Sequence, residues 1–526
     1  MPERSLERRM GIAAVLMIGS VFLSRAIGYI RDAVIAYFYG ATRNTDAYFA
    51  AFTLPDFLNY LMAGGALSIT FIPIFSGYLT RGEEEKGWRT LSTIVSTMSV
   101  SLLGLIVVGE LLAPRVVPML VPGFEADQLS ETIYLTRIVL PAQFFFYVGG
   151  VLSGVLYAKE AFLIPALSPL IYNLCIIGGG VLLRPWMGIA GFSWGVLAGA
   201  ILGPFLLPWI RVRQIGGRVT PSLNLRDRGF IEFVKLSIPI MLGMSLVAVD
   251  EWIARYFGSA LTVGTITWIN NARRLMMVPV SVLGQAAGRA TLPFFARLAS
   301  EGKQEELSRV VETSLKLVLY STIAAGFWMI LLAREAVSVV YGRGQYSPSD
   351  VSATATILVF FSLGIFAWGV QAIAARAFYA MKDAITPMIL GTTVTAFSLP
   401  IYWTLVRELQ GRGLALATSV GMMVYAGAIV LMLCRKMGQL SVQRLAGTFG
   451  KTLLAAGTAS IIGHIALVGL DQVGDWSSTM GSLLRIVLIS GAWAMAVGAL
   501  SILLRIQEFE VLSSRLRRKL AWSRTR

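Results

Sequence analysis

Long apolar runs with almost no charge alternate with short polar punctuation along the whole chain. Runs of about 20 apolar residues are what a helix needs to cross a bilayer core. That pattern predicts fourteen helices, near residues 11–39, 45–79, 90–112, 131–157, 162–183, 188–210, 230–256, 260–296, 310–333, 350–380, 384–406, 413–434, 450–470 and 481–504. The expected fold is therefore an all-α integral membrane protein. No strand-like alternation competes with it.

Four of these segments do not look like ordinary lipid-facing spans. The first holds Arg25, Gly28, Arg31 and Asp32, and the second Pro55, Asp56, Asn59, Gly64, Gly65 and Pro73. The seventh ends in Asp250 and Glu251. The eighth carries Asn270, Asn271, Arg273, Arg274, Pro279, Gln285, Arg289 and Pro293. An arginine at the centre of a membrane helix costs roughly 2.5–3.5 kcal/mol on lenient insertion scales, so lipid exposure of all these groups is disfavoured. Polar side chains and Gly or Pro breaks are tolerated where they line a protein-enclosed or wet cavity, and the four segments are expected to wall one.

The sequence also repeats. YAKEAFLIP from Tyr157 matches YAMKDAITP from Tyr379 at an offset of 222, and GFSWGVLAGA from Gly191 matches GLALATSVGM from Gly413 in the same register. FIPIFSGYLTRGEEE from Phe71 pairs with TLPFFARLASEGKQEE from Thr291, with Pro73 and Pro293 aligned at 220. Each repeat carries six helices, an even number, so the halves should share one orientation, as in parallel-repeat transporters. The expected organisation is an N-terminal six-helix bundle over 1–210, a cytoplasmic linker over 211–229 and a C-terminal bundle over 230–437. Two extra helices over 438–504, candidates for a lipid-tail groove, and a basic cytoplasmic tail over 505–526 complete it.

Composition agrees with a membrane solvent: 56% of residues are hydrophobic and 14% charged, with a mean hydropathy of +0.70. A net charge of +16 would point to nucleic acid in a soluble chain, but here location decides. Of 45 Lys and Arg, 27 fall on one set of loops and tails and 8 on the other. The richer set is read as cytoplasmic, which places both termini there. Nucleic acid is not an expected partner.

Chemistry is scarce. Cys175 and Cys434 lie in separate apolar runs, His464 stands alone, and Gly450-Lys451-Thr452 lacks the first glycine of a phosphate loop, which would fall at Leu445. No metal-ligand spacing, nucleophile elbow or catalytic carboxylate pair appears, so an enzyme is not expected. What remains is cationic. Guanidinium groups bind phosphates through forked, charge-assisted hydrogen bonds, so an anionic and plausibly lipid-linked cargo is the physical reading.

Arg25 is the stronger ligand candidate of the first helix. On an ideal helix Arg31 lies about 120° away from it, and only a bend at Gly28 would aim both at one cavity. The alternative for Arg31 is headgroup snorkelling or a pair with Asp32 or Asp46. In the eighth helix Arg274, three residues from Asn271, is the better candidate, and Arg273 can equally pair with Asp250 or Glu251. Arg289, nearer the cytoplasmic end, serves either a headgroup at the rim or transport. Asn59 joins the substrate-binding set; Asp32, Asp46, Asn271 and Arg289 are expected to tune charge. Gly28, Pro55, Gly64, Gly65 and Pro279 are the expected hinges.

The stretch SRAIGYIRDAVIAYFYGATRNTDAYFAAFTLPDFLNYLMAGGALSITFIPIF from Ser24 to Phe75 resembles the opening of the MurJ (MviN) lipid II flippases, of the multidrug/oligosaccharidyl-lipid/polysaccharide exporter superfamily. ARRLMMVPVSVLGQAAGRATLP from Ala272 and YAMKDAITP are similar to the same family, and the resemblance covers essentially the full chain. It implies translocation of undecaprenyl-diphosphate-linked disaccharide-pentapeptide across the bacterial inner membrane by alternating access. Membrane potential is the implied energy source, with a monovalent cation as a candidate coupling ion and no other cofactor. Membrane lipids and transient contact with peptidoglycan synthases are implied partners. The residues matching Arg25, Arg31, Asp46 and Arg274 are implicated in that family's cavity.

The chain also departs from the family. Many members carry basic residues where Asn59 and Tyr60 stand, a glutamate at Gly64, a carboxylate at Arg273 and a later glutamate at Met277. Cavity charge is redistributed, and a carrier of another polyprenyl-diphosphate-linked saccharide is the nearest alternative. A MATE-like drug/cation antiporter and a membrane enzyme acting on polyprenyl phosphates are the others.

Overall fold

The computed structural model describes residues 2–63, 70–242, 246–472, 474, 476 and 479–514. Among them no strand occurs. The expected hinge residues Gly64 and Gly65 lie outside the described residues, as does the tail beyond 514. The chain divides into two compact units, residues 1–243 with 258–267, and residues 244–257 with 268–526.

The first unit is built from α1 (Pro2–Tyr39), α2 (Arg43–Ala50), α3 (Thr53–Ala63), α4 (Ile72–Thr80), α5 (Glu84–Leu120), α6 (Ala126–Val139) and α7 (Ala142–Ala158). It continues with α8 (Leu163–Leu182), α9 (Arg184–Met187), α10 (Ala190–Ala200), α11 (Leu207–Gln214) and α12 (Arg228–Leu242). The second unit takes nearly all of α13 (Leu246–Ser259) and α14 (Thr265–Pro279) from Trp268 onward. After those come α15 (Ala286–Ser300), α16 (Gln304–Leu331), α17 (Ala333–Tyr341), α18 (Pro348–Ser362), α19 (Ile365–Ala380), α20 (Ile385–Met437), α21 (Val442–Asp471) and α22 (Thr479–Leu503). Eight helices among the described residues are long and apolar enough to cross a membrane, or nine if α18 and α19, bent by 43°, count as one span. Several of the others fall short because they are broken.

The breaks have local causes. The expected continuous helix over 45–79 is interrupted between α2 and α3, where Thr53 Oγ1 donates to the Ala50 carbonyl at 2.8 Å. Pro55, two residues on, has no N–H to offer Ala51 and disfavours helical backbone at Leu54. The expected helix over 260–296 begins at Thr265, and Pro279 ends α14 at a π-helical segment, Val280–Gln285. Helix α1 runs without interruption through Gly28.

Packing in the first unit is close where α8 meets α10. Gly191, Gly195, Gly199 and Gly203 recur every four residues and form a side-chain-free ridge. A Cβ on Gly195 would lie 2.6 Å from the Cys175 carbonyl oxygen and 2.8 Å from the Ile176 Cα, so only glycine permits this approach. Two aromatic-rich cores flank it, one around Phe71, Phe75, Trp88 and Phe233, the other around Tyr48, Phe49, Leu135 and Phe192. The expected linker is not loose. Its extended backbone lies along α5, with Thr220 N–H donating to Ser92 Oγ at 3.1 Å, Ser222 N–H to Ser96 Oγ at 3.0 Å, and Thr90 Oγ1 donating to Asp227 at 2.9 Å.

In the second unit α16 packs against α19 and α21, and α21 against α22. Ile461, Ile465, Val487 and Met495 on the last two helices are widely exposed, as side chains facing lipid are. Ile506, at the start of the basic tail, packs back on Tyr320 and Ala455 with Phe509 and Leu512 beside it.

The internal repeat is written in the backbone. Glu160 and Lys382, 222 apart, both take positive φ, 58° and 60°. The caps Glu125 and Ser347 have φ/ψ of −70°/163° and −71°/161°, and Gly188 and Gln410 have 56°/−135° and 55°/−134°. Earlier, Gly82 and Gly302 share φ values of 70° and 71° at an offset of 220. The register grows by two residues where the single helix α5 of the first half is replaced by α16 and α17, separated at Leu332.

Candidate functional site

Charged side chains inside an apolar bundle either find partners or keep contact with a polar medium. The predicted residues divide along that line, each unit in its own way.

In the first unit, Arg31 does not reach outward. Its Nε donates to Asp32 Oδ1 at 2.9 Å, Nη2 lies 2.8 Å from the same oxygen, and Nη1 donates to Asn173 Oδ1 of α8 at 3.1 Å. Asn173 is fixed in turn, its amide donating to the Pro169 carbonyl at 2.9 Å. Asp32 is buried, and a Cβ at Gly28, one turn before Arg31, would meet Asn173 Oδ1 at an ordinary 3.9 Å, so this pairing does not depend on glycine there. Arg31 thus follows the pairing alternative and is held without a bend at Gly28. Arg25 is exposed, and no carboxylate among the described residues pairs with it. Asn59 on α3 is exposed as well, and Pro55 is buried in the first turn of that helix.

Asp46 is 2% exposed and acts as an anchor. Its Oδ2 accepts from Gly264 N–H at 2.6 Å; its Oδ1 accepts from Thr267 N–H at 2.8 Å and Thr267 Oγ1 at 2.6 Å. These donors belong to the start of α14, where free N–H groups and the helix dipole favour a negative charge. Thr267 Oγ1 also lies 3.0 Å from Thr45 Oγ1. Asp46 therefore caps a helix and does not pair with the arginines of α1.

In the second unit, Arg273 and Asp250 are both buried and joined by a 2.5 Å Nη2–Oδ2 contact. The other carboxylate oxygen accepts from Tyr402 OH and, at 2.7 Å, from Thr418 Oγ1, both on α20. The Arg273 guanidinium also stacks over Phe361, 5.5 Å from the ring centre. Glu251, the neighbouring acid, lies 3.4 Å from Arg255 and 4.0 Å from Arg273, and within the field of Arg274. Two acids thus face three arginines, a net positive cluster. Arg274 presents the exposed side of it, while Arg273 serves the interior.

Asn271 turns away from Arg274. It is buried, and its amide donates to Tyr346 OH of α18 at 3.4 Å. Although i and i+3 positions share a helix face, the two side chains lie in different surroundings, Asn271 buried and Arg274 exposed. Arg289 is exposed on α15. Asn173, Thr267, Tyr346, Tyr402 and Thr418 were not legible as functional residues: none belongs to a charged cluster or a recognisable spacing.

The chain matches the family model described as "Lipid II flippase MurJ" over residues 35–488. It is 28% identical over 423 residues to the lipid II flippase MurJ of Burkholderia cenocepacia, covering 78% of this chain and 81% of that one. It is 27% identical over 463 residues to a probable lipid II flippase MurJ of Buchnera aphidicola from Acyrthosiphon pisum, covering 86% and 89%. Among solved structures it resembles a lipid II flippase MurJ in an inward closed conformation. That match has a TM-score of 0.78 and 22% identity, over 93% of this chain and 99% of the other. It also resembles an inward-facing multidrug resistance MATE family transporter of the MOP superfamily, at a TM-score of 0.66 and 15% identity over 79% and 95%.

Proposed function

The chain belongs to the lipid II flippase MurJ family, and on that premise we propose that it carries lipid II, undecaprenyl-diphosphate-linked disaccharide-pentapeptide, between the leaflets of the bacterial inner membrane by alternating access. The family is one of multi-span membrane transporters and not of catalytic enzymes. One observation supports the substrate reading most directly. Within the first apolar segment of the chain, Arg25 is exposed with no carboxylate partner among the described residues while Arg31, six residues on, is fully engaged. A diphosphate supplies the charge-assisted, forked partner that such a guanidinium lacks. Arg274, exposed on the second unit's cluster of two acids and three arginines, carries a further guanidinium.

Binding of the headgroup is assigned to Arg25 and Arg274, with Asn59 as a neutral hydrogen-bonding group where relatives carry charge. Arg31, Asp32, Asp46 and Arg273 hold the frame. Membrane potential is the proposed driving force, acting on a charged cargo without any chemical step by the protein. If a monovalent cation is coupled, the buried carboxylate of Asp250 is the proposed ligand, and Arg273 must then release that carboxylate during the cycle. Both termini are assigned to the cytoplasm, and contact with peptidoglycan synthases would be made by exposed loops.

Complementation of a flippase-depleted bacterium tests this. The wild-type chain is expected to restore growth, whereas Arg25→Ala and Arg274→Ala insert at normal levels and fail. Failure of the wild type despite confirmed membrane expression would favour another polyprenyl-diphosphate-linked saccharide as cargo, a reading that neutral Asn59 keeps open.

A further inference from the structure

Several basic side chains at the turn-bearing end of the second unit are matched by acids. Arg297 lies 2.7 Å and Lys303 2.8 Å from Glu301, and Asp383 is taken by Lys436 and by Thr386. Two arginines there are among those that are not. Arg289 on α15 and Arg376 on α19 have no carboxylate partner among the described residues, and the charge of each acts on the other.

Their placement is specific. Arg376 Nη1 donates to the carbonyl of Ala372, one turn back on its own helix, at 2.5 Å. Its guanidinium lies flat against α15 at Gly288, where a Cβ would come within 2.8 Å of Nη1 and 2.9 Å of Cζ. Glycine at 288 therefore makes the berth for one guanidinium, and the next residue supplies a second. Tyr379 and Lys382, exposed on the following turn, extend the polar rim.

The fold does not require these charges. The sequence equivalents in the first half are Gly154 for Arg376, at an offset of 222, and Ile69 for Arg289, at 220. Gly154 packs against Phe71 with no charged group involved. Bringing two like-charged guanidiniums together at the edge of an apolar bundle is unfavourable unless an anion is shared between them. Basic pockets between helices at a membrane surface recruit anionic headgroups in this way.

We infer that Arg289 and Arg376, seated on Gly288, form a phosphate-binding site confined to the second unit and separate from Arg25 and Arg274. Its ligand is a phosphate ester or diphosphate group, held bidentately by two guanidiniums. Occupancy is distinct from carriage, so the site can hold a resident anionic phospholipid or present a first landing place for a diphosphate lipid. Free phosphate shares the same chemistry.

Native mass spectrometry of the intact protein tests this, with phosphatidylglycerol, phosphatidylcholine, a short polyprenyl diphosphate and inorganic pyrophosphate as separate probes. The wild type is expected to retain phosphatidylglycerol or the polyprenyl diphosphate over phosphatidylcholine. The Arg289→Gln/Arg376→Gln double variant should bind the preferred probe at least tenfold more weakly. Preference for phosphatidylglycerol assigns a resident lipid; preference for the polyprenyl diphosphate, with competition by pyrophosphate, assigns the diphosphate. Arg376→Lys, which keeps the charge, should restore much of the binding, and Arg289→Gln alone, on an exposed side chain, guards against misfolding as the cause. Equal binding by wild type and double variant, or no selectivity by the wild type, overturns the site. Because the readout is binding, a failure of flippase complementation leaves this result unaffected.

Discussion

A single guanidinium changes meaning with its partner. Arg25 and Arg31 sit in the same helix, yet Arg31 is closed off by Asp32 and Asn173 while Arg25 stays available. Arg273 and Arg274, adjacent residues, differ in burial, the first buried and the second exposed, since neighbours on a helix point about 100° apart. The Arg273–Asp250 pair is buried, and removing one member leaves an uncompensated charge, which in buried sites costs roughly 3–5 kcal/mol. Arg273→Ala is accordingly expected to lower the thermal unfolding temperature in detergent, with the double variant Arg273→Gln/Asp250→Asn recovering a large part of the loss. A double variant as unstable as the single one would show that the pair is not the stabilising unit. The identities Arg, Asp and Asn were legible in the sequence; which arginine met which acid depended on Asn173 and Tyr402, which lie 142 and 129 residues away from the arginines they help position.

At the scale of elements, the repeated backbone geometry carries an asymmetric strain. Gly188 and Gln410 occupy the same region near φ 55°, ψ −135°, which is favourable only without a Cβ. Gln410 is therefore strained, at a cost of order 1–3 kcal/mol. Gln410→Gly is expected to raise stability by roughly 1 kcal/mol and Gly188→Gln to lower it, measured by thermal unfolding of the purified variants. A second expectation concerns the turn before α20. Burial pushes the Asp383 carboxyl up, but the Lys436 ammonium and the N–H and hydroxyl of Thr386 more than offset it, leaving it at about 2. A depressed carboxylate contributes stability that is full above its unfolded value near 3.9 and is lost as the pH falls through about 2. Amide exchange at Thr386 should therefore accelerate between about pH 4 and pH 2, and Asp383→Asn should remove that dependence.

Most of these elements were legible from hydrophobic runs and offsets: α8, α16, α21 and α22 begin or end within several residues of their expected positions, and the 222 register reappears in matched dihedral angles. The breaks were less so. Pro55 and Pro279 marked two of them, whereas the bend between α18 and α19 and the left-handed Gln410 have no proline to announce them. The glycine ridge at 191, 195, 199 and 203 was readable as a four-residue spacing and predicts a close helix contact; its partner, α8, was not readable.

For the whole molecule, the unequal loop charges predict an orientation with both termini cytoplasmic. In a background with Cys175 and Cys434 replaced by alanine, Ser349→Cys is expected to react with an impermeant maleimide on intact spheroplasts, and Glu306→Cys only after permeabilisation. The reverse pattern would invert the topology. Both positions are exposed, so labelling reports sidedness and not burial.

The sequence by itself determined the solvent, the helical class, the repeat and the supply of arginines, because hydropathy, length and spacing are local and additive along a chain. Only the tertiary structure decided which charges are spent inside the protein and which remain to meet a ligand. That choice rests on hydrogen bonds of 2.5–3.1 Å between residues more than a hundred positions apart in some cases and adjacent in others. Inside an apolar bundle such short contacts set whether a charge can be buried at all, and no linear pattern encodes them.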